Sequence, residues 1–197
     1  MAGVNVKELV QDALQTAATK TKDNQDRHPA RLHRARSNVF VGALGEGLQR
    51  CYADESGVRV LWQGNREHRK EFGMNELLFD VTVCESTTVP SPRRGTPLAA
   101  VTGGLWSVES EFARDTRQSV FDFNKLVLSS SKNKLFVAPV VDKSLIDKFR
   151  NTLGLVADNC SGNVYLVLVP HPSTWNTPNR LLARSWERRD GNWELLD

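Results

Sequence analysis

The sequence predicts an α/β fold, a central mixed sheet of about four to five strands flanked by helices. Three β-prone runs, 58–63, 77–84 and 99–112, follow one another without a helical segment between them. Two later runs, 134–141 and 163–169, are apolar almost throughout, as strands of a parallel sheet are. Between and after these lie segments whose apolar residues recur at helical spacing, giving the order α-β-β-β-α-β-α-β.

The elements follow in order. Residues 4–19 carry Val6, Leu9, Val10, Ala13, Leu14 and Ala17 on one side, an amphipathic helix that packs on the domain or on a second subunit. A polar stretch ending at Pro29 reads as a linker. Arg27, Arg31, Arg34 and Arg36, with His28 and His33 among them, form the densest basic stretch. They suit phosphate contacts and, equally, a solvated helix face. The helix continues over 37–52, with Val41, Leu44, Leu48 and Cys51 on one side and Glu46 among small and apolar residues. The first strand is 58–63, and the charged segment 64–71 reads as a loop or strand end. The second strand, 77–84, places Asp80 at its centre, where an unpaired acid is costly to bury. Glu85 is a peripheral acid one strand step further on.

Residues 86–97 hold three prolines, a glycine and the pair Arg93-Arg94. They read as a long loop, and the arginine pair suits either DNA phosphates or a solvated hairpin tip. In the third strand, 99–112, Glu109 and Glu111 alternate with apolar residues and share a face. Asp115 or Thr116 caps the next helix, which carries Val120, Phe123, Leu126 and Val127 on its apolar side and Lys125 beside them. A buried strand over 134–141, an amphipathic helix over 144–158 and a last core strand over 163–169 complete the core. The tail combines Trp175, Trp186 and Trp193 with arginines and closes in a hairpin turned at Asp190-Gly191.

The chain of 197 residues is 40% hydrophobic and 25% charged, an ordinary composition for one soluble globular domain. No apolar run approaches a membrane span and the first residues lack the apolar core of a signal peptide, so a cytoplasmic location without membrane attachment is expected. Cys51, Cys84 and Cys160 are odd in number and widely spaced, which suggests neither a disulfide framework nor a cysteine-based zinc site. A net charge of +3 permits nucleic acid as a partner without demanding it. Three parts are expected: an N-terminal helix and basic linker (1–35), a core (36–170) and a C-terminal extension packed on the core (171–197).

If the second and third strands are neighbours, Asp80 joins Glu109 and Glu111. Such a cluster repels itself unless a cation sits in it, and hard oxygen donors suit Mg²⁺ or Mn²⁺. No glycine-rich phosphate loop and no Ser-His-Asp arrangement is evident.

This arrangement resembles the PD-(D/E)XK nuclease superfamily, the restriction-endonuclease-like fold, over roughly residues 36–170. In that family an acid on the second core strand and a Glu-x-Lys on the third bind metal and activate water, and a helix follows. Asp80 matches the first acid and Glu109 the second. Glu111 stands where the lysine is usual, and Phe79 precedes Asp80 where proline is usual. Some type II restriction enzymes carry Glu-x-Glu at that point. In other branches the lysine moves onto the following helix, for which Lys125 is the match. A glutamate on the helix before the first strand often reaches the metal, a part that falls to Glu46.

The resemblance implies Mg²⁺, with Mn²⁺ as a substitute, held by Asp80, Glu109 and Glu46. Asp80, Glu109, Glu111 and Lys125 would carry catalysis, and Arg31, Arg34, Arg36, Arg93 and Arg94 would hold nucleic acid. The implied function is a metal-dependent endonuclease that hydrolyses DNA phosphodiester bonds, of restriction or repair type. The alternative is a non-catalytic DNA-binding or assembly subunit of the same fold. Duplex cutting usually needs two active sites, so a restriction-type enzyme would be a homodimer, with a methyltransferase or a defence protein as a further partner.

Overall fold

The structure is a computed structural model that describes residues 3–22, 28–72, 76–91, 98–140, 142–176 and 181–196. A mixed sheet of seven strands, arranged in sequence order, runs through it with helices on both faces. The sequence pattern led to four or five strands. The difference lies in the tail, whose hairpin joins the sheet edge.

Helix α1 (Val6–Lys20) begins where the Asn5 side chain accepts the Glu8 N–H at 3.2 Å. Helix α2 (Pro29–Cys51) has its proline in the first turn, where a missing N–H costs nothing. Strand β1 (Val58–Trp62) follows, and then α3 (Arg66–Phe72), where the charged segment had suggested a loop. At its start Asn65 accepts the His68 N–H at 3.3 Å, a side-chain turn that favours helix entry.

Strand β2 (Val81–Val89) begins after Asp80 and runs on through residues expected to be loop. The residues before it are irregular: Leu78 has φ 62° and the Phe79 N–H bonds to Leu77 O at 2.7 Å, which postpones the ladder until Val81. Strand β3 (Leu98–Ser110) pairs antiparallel with β2, as β2 does with β1. Helix α4 (Thr116–Val127) is capped by Asp115, which accepts the Arg117 N–H at 2.9 Å. It carries the chain across to β4 (Asn133–Val140), parallel to β3. A 3₁₀ turn (Lys143–Leu145) and α5 (Ile146–Ala157) lead to β5 (Asn163–Pro170), parallel to β4.

After a 3₁₀ turn at Pro172–Thr174, β6 (Arg184–Arg189) pairs antiparallel with β5, and β7 (Asn192–Leu195) pairs with β6. The turn between them has φ 45° at Asp190 and 75° at Gly191, the left-handed pair that a two-residue hairpin requires.

Strand alternation sends Val60, Val83, Trp106, Val108 and Val137 toward α1 and α2, and Phe136, Leu166 and Leu168 toward α4 and α5. Helix α2 approaches closely because Gly45 has no side chain: a Cβ there would lie 2.4 Å from the Trp62 ring. Among the described residues, no helix is long and apolar enough to cross a membrane.

Candidate active site

The antiparallel register pairs Val81 with Val108. One step further on, Asp80 and Glu109 come side by side at the joint end of β2 and β3. Glu109 is in register with Phe136, whose ring lies in the core beneath α4 and α5, so its carboxylate points to that face. Asp80 is not at a strand centre. It lies just before β2 and is fixed by Ser110, whose N–H and Oγ–H both donate to Oδ2, at 2.9 and 2.6 Å.

Helix α4 supplies the cation. Lys125 Nζ lies 3.1 Å from Glu109 Oε2 and 2.9 Å from Asp122 Oδ1; the lysine side chain is 44% exposed and that of Glu109 only 3%. Asp122 is one helical turn before Lys125, on the same side. Its other oxygen accepts from Gln118 Nε2 at 3.1 Å. Asp122, Gln118 and Ser110 were missed in the sequence. The available signal was an acid three residues before Lys125, next to the apolar stripe of the helix and hence partly covered by it.

Burial pushes the Glu109 carboxyl up to about 7, the Asp80 charge adds to that, and Lys125 opposes it. Asp80 is also raised by burial, against the two bonds from Ser110 and the charge of Lys125. Glu111 is just past β3, where Oε1 accepts the Ala113 N–H at 2.5 Å. Burial raises its carboxyl first, and its hydrogen bond to Asp122 raises it further. Asp122 is pushed up by burial too, but hydrogen bonds with Glu111, Lys125 and Gln118 outweigh this and hold it below its ordinary value. The hydrogen bond between the two carboxyls thus favours the proton on Glu111 and the charge on Asp122. Burial works against the Lys125 ammonium, yet its bonds to Asp122 and Glu109 raise it above its usual range, so it is fully charged.

The structure thus brings Asp80, Glu109, Glu111 and Lys125 to one end of the sheet. Glu46 is elsewhere. It is exposed on α2, lining a groove with α1 residues Glu8 and Asp12, whereas α2 packs on the sheet face opposite α4. Glu85 pairs with Gly103, several residues along β2 from the cluster.

Arg36 is not a surface cation either. It is 0% exposed, and its guanidinium donates to Pro172 O, Trp175 O, Asn176 Oδ1 and Thr21 Oγ1. From Pro29 on the basic stretch is helical, and Arg36 falls on the buried side with Leu32 and Phe40. Arg31 and Arg34 are exposed. Arg93 and Arg94 lie outside the described residues.

Among the described residues, no three histidine, cysteine or carboxylate side chains converge closely enough to enclose a metal ion. Asp80 and Glu109 are two adjacent oxygen donors at a partly open end of the sheet. Comparison of the chain with known protein families, curated proteins and solved structures finds no match.

Proposed function

We propose that the chain is a metal-dependent nuclease of the PD-(D/E)XK type that hydrolyses phosphodiester bonds of DNA. The observation that carries this reading is the contact of Lys125 Nζ with Glu109 Oε2 at 3.1 Å, beside Asp80. It supplies, from the following helix, the cation that the Glu-x-Glu sequence lacks on β3. The topology supports the same reading: an antiparallel run of β1, β2 and β3, then a helix crossing to a parallel β4.

The donor chemistry fits Mg²⁺, which commonly takes one or two protein carboxylates and fills its remaining positions with water and substrate phosphate. Asp80 and Glu109 are the carboxylates that would hold it. When bound, Mg²⁺ supplies a Lewis acid for the scissile phosphate and acidifies the attacking water. Asp80 is oriented for this by Ser110. Glu109, close to half-protonated near pH 7 without a cation, gives up its proton on becoming a ligand.

Lys125 places a permanent charge next to Glu109, where it orients water and offsets the negative charge that grows on the phosphate oxygens. Asp122 holds the lysine in that position. Glu111 bonds to Asp122 and to the Ala113 N–H, which favours Lys125 over Glu111 in the part of the motif lysine.

The test is incubation of the purified protein with plasmid and phage DNA in Mg²⁺ and in Mn²⁺, beside Asp80→Asn. Fragments or a smear from the wild type alone support the reading. Equal cleavage by Asp80→Asn, or none by either protein together with no Mn²⁺ binding, overturns it.

A further inference from the structure

We propose that the cavity at the carboxyl ends of β4 and β5 is a pocket for one unpaired nucleotide of the strand on which the carboxylate cluster acts. This rests on the nuclease reading of that cluster.

The cavity holds about 400 Å³, within the range of small-ligand sites. Its lining is mixed, with Ile146 and Leu168 among the apolar residues and Ser173 among the polar ones, and it includes two arginines, Arg184 and Arg114, the latter donating to Ser173 Oγ at 3.4 Å. Among the described residues that line it there is no carboxylate. Apolar side chains in the lining take the face of a base, and guanidiniums take phosphate or stack on the base. Leu182 stands at the same cavity 74% exposed, an apolar side chain open to whatever enters.

The position suits the substrate. Glu109 is in register with Phe136, and Phe136 with Leu166, so Val140 and Pro170 at the cavity lie four residues further along their strands. With about 3.3 Å per residue and about 4.8 Å between strands, the cavity is on the order of 15–18 Å from Glu109 and Asp80. An unpaired strand of roughly three to five nucleotides covers that stretch, since it extends further per nucleotide than the about 3.4 Å of a duplex strand. Arg114 follows Glu111 closely in the chain and connects the two places. The first turns of α2 reach the same end of the sheet, where the His33 ring packs 5.2 Å from that of His171, so exposed Arg31 and Arg34 add positive charge nearby. A base inside a duplex is stacked and paired and cannot present its face to a concave wall, whereas an unpaired base can. The occupant is therefore a nucleotide of a single-stranded segment.

The test measures binding by fluorescence anisotropy, in EDTA and at fixed salt. It compares oligonucleotides of equal length: single-stranded, blunt duplex, and duplex with a short overhang. Wild type and Asp80→Asn are expected to bind the single-stranded and overhang forms about tenfold more tightly than blunt duplex. Arg184→Ala and Leu182→Asp, with melting temperatures matching wild type, are expected to lose that preference. Equal binding of all three forms, or a preference unchanged in both variants, overturns the pocket. Cleavage by the wild type without any single-strand preference removes the pocket and leaves the nuclease reading in place. Absence of both cleavage and binding overturns both.

Discussion

Lys125 on α4 meets Glu109 on β3 at 3.1 Å and, in the same position, Asp122 at 2.9 Å, so one ammonium bridges a nearly buried carboxylate and a helix carboxylate. The ammonium favours the charged form of both acids against burial. Lys125→Met should lower cleavage by roughly 10²–10³ while DNA affinity in EDTA changes less than about twofold. Lys125→Arg keeps the charge but not the compact point donor and should recover only part of the rate. Single-turnover cleavage and anisotropy on the three proteins check both statements. A Lys125→Met protein that cuts at the wild-type rate would return the catalytic role to Glu111.

Asp80→Asn separates chemistry from architecture. An asparagine carbonyl can still accept the Ser110 N–H and Oγ–H that fix Asp80. It also removes a buried charge beside Glu109. Thermal stability should therefore stay equal or rise slightly, while on the nuclease reading cleavage falls by about 10³ or more because a proposed metal donor is lost. Melting curves and cleavage assays on the same preparation measure the two effects.

The legible part of the sequence was the part governed by local pattern. Phe123 and Leu126 mark the apolar stripe of α4, and Asp190-Gly191 marks the β6–β7 hairpin, because period and turn chemistry are short-range. Glu109 could be placed because a strand alternates strictly. Asp80 could not be placed as well, since the kink at Leu78 and Phe79 interrupts the alternation before β2 starts. Arg36 and Glu46 show the other limit. They sit on one helix ten residues apart, and nothing in their own neighbourhood states that Arg36 faces the carbonyls of a turn 136 residues away while Glu46 faces α1. Asp122 was only half legible: its contact with Lys125 is one helical turn long and local, whereas its partner Glu111 is joined to it only when α4 lies against the end of β3.

Arg36 offers a stability prediction with a binding control. Its guanidinium joins α2 to the turn after β5 through Pro172 O, Trp175 O and Asn176 Oδ1. Arg36→Met removes the charged donor from the Pro172 and Trp175 carbonyls and should cost about 2–4 kcal/mol, and Arg36→Lys should restore only part of it. Denaturant unfolding gives the number. At a temperature where Arg36→Met is folded, its DNA affinity should equal that of wild type. Arg31→Ala and Arg34→Ala should leave stability unchanged and each lower the salt slope of DNA binding by about one if it touches a phosphate.

Two buried groups give the protein opposing pH responses. Burial and the nearby Arg114 charge bring the His171 imidazole down from 6.5 to about 4. The unfolded chain therefore binds the extra proton between those values. The contribution of His171 is fully present above about pH 6.5 and is lost as pH falls toward 4. Glu109 goes the other way, from 4.5 up to about 7 through burial and the Asp80 charge. Its folded form holds the proton more tightly, so its contribution is present below about pH 4.5 and is lost as pH rises through 7. In wild type without divalent ions the two slopes partly cancel between pH 4.5 and 6.5. Glu109→Gln should uncover a stability that rises with pH over that range. His171→Asn, which can still accept the Ser173 N–H that His171 Nδ1 accepts at 3.1 Å, should uncover one that falls. Melting temperature against pH for the three proteins decides this, and parallel curves would refute the assignment of both groups.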